Sequence, residues 1–196
     1  LWLNEREEVF EFSLDEEPKM VKFDDDGLLL KELRYAQGTD ELLFKLDNDD
    51  IIGRAEAAAE LSGDEITDEV KKALMATAQN DASWYVRKAA IESLEKSGYE
   101  RINILCKKMA LDSSSQVRVS AIRILGDTGD KRMIRFLKER FENDDSYRVQ
   151  AECIISIGKC GSEKDIEFVG KAAKVTSTRN VIANAADQAL NELLKK

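Results

Sequence analysis

Histidine is absent from this sequence of 196 residues. Its absence excludes Ser-His-Asp and Cys-His catalysis, every zinc site that uses an imidazole, and the commonest general base near neutral pH. Carboxylates are too abundant, at 39 Asp and Glu, for any pair to be singled out as a general acid and base. We therefore expect this chain alone to have no catalytic residue, no metal ligand and no cofactor.

Cysteine and proline are scarce, with three and one residues, and long apolar runs are missing. Cys106, Cys153 and Cys160 are odd in number and form no C-x-x-C pair, so they indicate neither a disulfide framework nor a thiolate zinc site. We interpret them as reduced and buried small residues. No apolar run approaches the roughly 20 residues of a membrane span, so we expect a cytoplasmic protein with no membrane partner.

Basic residues are outnumbered by acidic ones, 30 against 39, which gives a net charge of -9. Such a charge repels phosphate polymers and anionic lipid surfaces. Helical-repeat proteins that act on DNA present a strongly basic groove, which this composition does not favour. We expect no nucleic-acid partner.

One set of residues recurs along the chain at helical spacing. A Val, a small residue, a Leu or Ile and a Gly follow one another at intervals of four, and the set repeats after 31 and then 32 residues. Spacing of four places these residues on one stripe of a helix, which we interpret as core. The three clear copies are Val86, Ala90, Leu94 and Gly98, then Val117, Ala121, Leu125 and Gly129, then Val149, Cys153, Ile157 and Gly161. Weaker copies lie near Ala57 and Ala186, which predicts about five units.

A second helix fits between each glycine and the next stripe, so each unit is predicted to be a helical hairpin. The glycines are predicted to end the stripe helices in the left-handed conformation. Five residues before each stripe lies a residue that we expect to cap the helix: Asn48, Asp81, Asp112, Asp144 and Ser177. The segments Val86–Ala90 and Val117–Ala121 share the pattern Val-Arg-x-x-Ala and resemble the HEAT repeat family. The fold class is therefore predicted as mainly α: an α-solenoid of HEAT-type hairpins over residues 39–196, with the second helices on its inner surface.

Arg54, Arg87 and Arg118 follow the first stripe position in three units. An arginine row on the inner face is a candidate contact for a carboxylate or a phosphate. The alternative interpretation, which we favour, is an ion pair between each arginine and the aspartate at the cap position of a neighbouring unit.

The first 38 residues have a different pattern. Phe10, Phe12 and Leu14 alternate with polar residues, as in a half-buried strand. Met20–Phe23 and Leu28–Leu33 are short apolar runs joined by Asp24–Gly27, which predicts a hairpin turn, not a calcium loop. Three short strands do not make a stable module on their own, so this short N-terminal β segment, residues 1–38, is predicted to be the end of a larger unit.

These strands resemble the end of the β-sandwich in M1-family zinc aminopeptidases of microbial type, and the junction that follows resembles the same family through Glu41–Leu43, Leu46, Asp50, Arg54, Ala57 and Leu61. The resemblance implies a parent metallopeptidase whose zinc-binding HExxH and exopeptidase GxMEN motifs lie upstream. Neither motif occurs here. The implied partners are the upstream catalytic domain of the same polypeptide and a peptide substrate, whose access the helical array limits. The alternative is a free-standing HEAT scaffold that binds a protein.

Because the chain lacks histidine and a cysteine cluster, we predict that the purified protein binds no stoichiometric zinc and releases no amino acid from aminoacyl p-nitroanilides. Atomic absorption and a chromogenic assay measure both. One equivalent of tightly held zinc would contradict the prediction.

Overall fold

The computed structural model of the chain describes residues 9–23, 36–63 and 65–195. These residues form ten α-helices and three short 3-10 turns. The α-helices are α1 Thr39–Asn48, α2 Ile51–Glu60, α3 Asp68–Asn80, α4 Trp84–Lys96, α5 Ile102–Met109, α6 Ser115–Asp127, α7 Ile134–Asn143, α8 Tyr147–Cys160, α9 Ile166–Ala172 and α10 Val181–Leu193. The 3-10 turns are Lys131–Met133, Glu163–Asp165 and Thr178–Asn180.

The helices pack as five antiparallel hairpins in the order of the chain. Each odd-numbered helix packs on the even-numbered helix that follows it, whereas α4 makes few contacts with α5. Each stripe helix was predicted to pair with the helix that follows it, but it pairs with the helix that precedes it. Periodicity showed which residues are buried but not which neighbouring helix covers them.

The even-numbered helices also pack directly on one another, from α2 through α4, α6 and α8 to α10, whereas the odd-numbered helices hardly touch each other. We call the layer of even-numbered stripe helices, whose members lie closer together, the inner layer, and the layer of odd-numbered helices the outer layer. That the second helices of the hairpins line the inner surface of a superhelix stays a prediction. The chain is an α-solenoid of HEAT-type hairpins.

The core is made by the predicted stripe residues. Val86, Leu94, Val117, Leu125, Val149 and Ile157 are all fully buried. Small residues between them allow the even-numbered helices to approach: a Cβ on Gly158 would lie only 2.8 Å from the Cα of Ala189 in α10. Neither helix of a hairpin buries its apolar face alone, so each unit depends on its neighbours.

Two of the three predicted helix-ending glycines have the expected conformation. Gly98 and Gly129 have φ of +63° and +65°, which glycine adopts without steric cost. Gly161 does not, because its backbone is extended, with φ -78° and ψ -171°. A Cβ there would lie 2.6 Å from the carbonyl oxygen of Ile157, so close packing is what requires glycine at this position.

No β-strand is present in residues 9–23, so the strands predicted at Phe10–Leu14 and Met20–Phe23 are not found. A strand needs a partner for its backbone groups, and instead the Val21 amide donates to the Glu41 carboxylate at 3.2 Å. The turn predicted at Asp24–Gly27 and the strand at Leu28–Leu33 lie outside the described residues. The domain boundary at residue 38 stays a prediction.

Replacing Leu125 with alanine should lower the free energy of unfolding by roughly 3 kcal/mol, because it leaves a cavity in a fully buried stripe. Leu111→Ala is the matched control, since Leu111 is exposed and its truncation should change stability by less than about 0.5 kcal/mol. Urea unfolding followed by circular dichroism measures both. If Leu125→Ala and Leu111→Ala lower the free energy of unfolding equally, Leu125 is not a core residue.

Candidate functional site

Arg54, Arg87 and Arg118 lie in the first turns of α2, α4 and α6 and reach toward the next hairpin along the chain. In each case Nε and Nη2 donate to the two carboxylate oxygens of one aspartate. The distances are 2.9 and 3.2 Å for Arg54–Asp81, 2.8 and 2.7 Å for Arg87–Asp112, and 2.9 and 2.8 Å for Arg118–Asp144. This bidentate geometry is the strongest that arginine forms with a carboxylate.

The remaining guanidinium nitrogen of each arginine holds the loop of its own hairpin. Nη1 donates to the backbone carbonyl of Asp49, Asp81 or Asp112, at 2.8, 2.8 and 3.0 Å respectively. Each arginine therefore joins two consecutive hairpins, as the inter-repeat interpretation predicted. We call this series the arginine–aspartate ladder. Contact of its arginines with a ligand stays a prediction.

Four of the five residues predicted as helix caps have a different role, whereas Ser177 does accept from a backbone amide in the first turn of α10. The caps lie about two residues later, where Asp50, Ser83 and Ser114 accept hydrogen bonds from backbone amides of α2, α4 and α6. Asp81, Asp112 and Asp144 instead accept from the amides of Ser83, Ser114 and Ser146, at 2.7, 2.7 and 3.0 Å, while their carboxylates face the arginines. Asn48 is the last residue of α1, and Ser177 accepts from the Ile182 amide at 3.1 Å.

At both ends of the ladder, other contacts replace the arginine–aspartate pair. Before the first arginine, Lys22 of the N-terminal segment donates to Asp49 at 2.7 Å and to Asp50 at 2.9 Å. In α8 the arginine position is Gln150, whose Nε2 donates to the carbonyl of Asp144 at 2.8 Å. Its Oε1 is buried and has no hydrogen-bond partner in the described part of the chain.

The pKa values of two of the ladder aspartates, Asp112 and Asp144, are lowered by their hydrogen bonds. Burial raises the pKa of Asp112, but hydrogen bonds from Arg87 and from the Ser114 amide outweigh it, so the pKa lies below its ordinary value. The pKa of Asp144 is lowered in the same way by Arg118, the Ser146 amide and Arg140. The pairs Arg87–Asp112 and Arg118–Asp144 are thus charged at physiological pH.

A groove of about 230 Å³ runs between α2 and α4 on the inner layer. Its lining combines small residues, one aromatic ring and charges of both signs: Ala55, Glu56, Ala59, Tyr85, Lys88, Ala89, Glu92, Ser93 and Lys96. The alanines leave room between the two helices, and Tyr85 stands exposed at one end. We call this feature the α2–α4 groove.

Exposed apolar residues lie beside that groove, at the first turns of the same two helices. Ile51 and Ile52 begin α2, and Trp84 and Tyr85 begin α4. The two aromatic rings meet edge to face, with centroids 5.7 Å apart. Sequence reasoning missed this site, although consecutive apolar pairs outside the stripe were the signal for it.

Further along the inner layer the surface is closed by polar contacts. Ser120 donates to Glu92 at 2.8 Å, Arg123 to Glu95 at 2.8 Å, and Lys159 to Asp127 at 2.6 Å. These bonds link α4, α6 and α8 to one another. The α2–α4 groove lies at the amino-terminal end of the same layer.

The three cysteines lie in the core. Burial raises the pKa of Cys106 to about 12 and raises that of Cys153 further, so both are neutral thiols. Among the residues that the structure describes, no group of three or more His, Cys, Asp or Glu is placed to hold a metal ion. In the same residues no helix has the length and hydropathy that crossing a membrane requires.

Comparison with known proteins agrees with this architecture. A family model of HEAT repeats matches residues 102–191. The chain is also similar to a solved structure, the complex of CpcE and CpcF of phycocyanin lyase from Nostoc sp. PCC7120, with a TM-score of 0.66 at 16% identity. That alignment covers 86% of this chain and 70% of the other, and shows the fold alone. No curated protein matches the sequence. None of these comparisons supports the resemblance to M1-family aminopeptidases.

Removing an arginine from the ladder should destabilise the array. Arg87→Met leaves the buried Asp112 carboxylate without its charge partner and should cost about 3 kcal/mol of unfolding free energy. Arg132→Met is the control, because Arg132 is exposed and its ion pair with Asp130 is screened by water, so its loss should hardly change stability. Urea titrations at pH 7 measure both differences.

The loss of unfolding free energy in Arg87→Met should become smaller as the pH falls. Because the folded-state pKa of Asp112 is lowered, the stability from its pairing with Arg87 is present above the unfolded pKa of about 4 and disappears as pH falls through the folded pKa. The gap between the native protein and Arg87→Met should therefore narrow in acid. A gap that stays constant would mean that the methionine acts by altered packing.

Proposed function

We propose that the chain is a non-catalytic scaffold that binds a segment of a partner protein in the α2–α4 groove. The observation that carries the proposal is an open groove lined by three alanines and by exposed Tyr85, with exposed Ile52 and Trp84 in the first turns of the same two helices. Aromatic residues at the edge of a concave apolar site are typical of the residues that dominate protein interfaces. Contiguous exposed apolar surface is likewise uncommon on a monomer without a binding role.

The architecture supports the same proposal. Stacked hairpins create an extended concave surface, and such surfaces are what repeat proteins use for binding. The matched HEAT repeats and the similarity to the structure of the complex of CpcE and CpcF are compatible with a protein partner. The CpcE–CpcF assembly is a property of those proteins, and the chemistry of the lyase is not transferred to this chain.

The groove favours an apolar peptide segment with little net charge. Glu56, Glu92, Lys88 and Lys96 lie around it, two of each sign, so neither an acidic nor a basic ligand gains a large Coulomb advantage. The alanine floor accepts bulky side chains of the partner. Specificity then rests on shape and on the contacts with Tyr85.

A parent metallopeptidase of the M1 family, with zinc in an upstream catalytic domain, remains a hypothesis that rests on sequence resemblance. The complete open reading frame tests it directly. An HExxH motif upstream with a downstream glutamate would support that hypothesis. Its absence would leave the scaffold as the whole function.

Peptide display tests the groove. Peptides selected on the native protein should carry apolar side chains and should bind at least about tenfold more weakly to Ala59→Arg, which fills the groove, and to Tyr85→Ala. Lys72→Ala, on the exposed side of α3, is the control and should bind as the native protein does. Fluorescence anisotropy gives the affinities. Peptides that bind Ala59→Arg with undiminished affinity would place the binding surface elsewhere.

A further inference from the structure

Basic residues are concentrated in one stretch of an otherwise acidic chain. Between residues 101 and 142 there are ten Lys and Arg and only five Asp and Glu, although the whole chain has 30 and 39. This stretch includes α5 and α7, two neighbouring helices of the outer layer. This stretch therefore has a net positive charge, although the whole chain has a net charge of -9.

Side chains of α5 and of the segment around α7 meet at two places in the outer layer. Lys107 Nζ lies 5.7 Å from the centroid of the Phe136 ring, and Asn103 donates to Asp130 at 3.4 Å, so the two helices are adjacent. The exposed and half-buried cations on these two helices and next to their amino-terminal ends make up what we call the basic outer surface: Arg101, Lys107, Lys108, Lys131, Arg132 and Arg135.

Several of these cations are uncommitted. Arg101, Lys131 and Arg135 are exposed and make no ion pair with any residue in the described ranges. Lys138 is different, because it pairs with Asp165 at 2.7 Å and lies over the Phe168 ring. Free charges at the surface are thus available to an incoming molecule.

The order of charges along α7 works against the helix itself. Lys131, Arg132 and Arg135 lie at its amino-terminal end and the first turn has no acidic residue, whereas Glu139 and Glu142 lie toward its carboxyl-terminal end. Cations near a helix amino terminus oppose the helix dipole, each by some 0.3–1 kcal/mol. The three cations at the amino-terminal end of α7 are therefore not explained by a stabilising effect on that helix.

Apolar residues accompany these charges. Ile104 and Leu111 on and just after α5 are 71% and 63% exposed and lie seven positions apart, two turns along the same side. Arg101 and Lys108 flank them on that side. A molecule that matches this surface needs both negative charge and apolar side chains.

We infer that the basic outer surface docks an acidic, amphipathic helical segment of a partner protein. Its acidic residues would face the cations of α5 and α7, and its apolar stripe would cover Ile104 and Leu111. A protein fits better than a nucleic acid or a membrane, because Glu139 and Glu142 end the cluster and the chain as a whole is acidic, which repels extended polyanions. The surface belongs to the outer layer, so the inference stands independently of the α2–α4 groove.

The test uses a fluorescein-labelled peptide of about 18 residues with leucine at helical spacing and glutamate at most other positions, compared with a peptide in which serine replaces each leucine. The leucine peptide should bind the full chain, and binding should weaken at least about tenfold in Lys131→Glu/Arg135→Glu and several-fold in Ile104→Ser. Lys72→Glu/Lys174→Glu is the matched control, since it makes the same change of net charge at exposed positions elsewhere and should leave binding nearly unchanged.

Oligothymidylate and vesicles of phosphatidylserine with phosphatidylcholine serve as competing ligands. Tighter binding of either than of the leucine peptide would overturn the inference, as would equal affinity for the serine peptide, which lacks the apolar stripe. Equal losses in the two charge-reversal variants would also overturn it, because only net charge would then matter. Ala59→Arg should bind the leucine peptide normally, which separates this surface from the groove.

Discussion

The direct stacking of α2, α4, α6, α8 and α10 is the constraint on which the other features depend. These helices approach closely because small residues face one another, as where Gly158 leaves no room for a Cβ against Ala189. Buried hydroxyls add to the contact: Ser156 donates to the carbonyl of Ile122 at 3.0 Å, and Ser93 to that of Ala58. Close stacking fixes the inner layer, places each arginine within reach of the next loop, and sets the width of the α2–α4 groove.

Much of this fold is predictable from the sequence, because buried residues recur at helical intervals. Intervals of four between Val117, Ala121 and Leu125 identify a buried stripe, and the structure buries all three. The same periodicity does not indicate which neighbouring helix covers the stripe. Each stripe helix was therefore paired with the wrong neighbour. The strand pattern at Phe10–Leu14 failed for a related reason: alternation shows that a segment suits a sheet, but pairing requires a partner strand, and the described residues offer none.

The functional surfaces were harder to predict than the ladder. An arginine that recurs beside a stripe, with an aspartate recurring in the loops, predicts an ion pair because both partners repeat with the same period. No repeating pattern in the sequence marks the α2–α4 groove. It forms where the small side chains of Ala59 and Ala89, from different hairpins, leave space between the two helices. The basic outer surface is visible in the sequence only as a local excess of charge. Its meaning depends on the adjacency of α5 and α7, which the contact of Lys107 with Phe136 establishes.

Each rung of the arginine–aspartate ladder takes its donor from one hairpin and its acceptor from the next. A hairpin such as α3–α4 therefore carries one of each, Asp81 toward the preceding unit and Arg87 toward the following one. Duplication or deletion of such a hairpin leaves no orphan charge, because the new neighbours meet with complementary groups already in place. The array has in this way a built-in tolerance to changes in length. That tolerance ends at α8, where Gln150 and Ser177 replace the pair, so growth by duplication is compatible with the ladder only upstream of that junction.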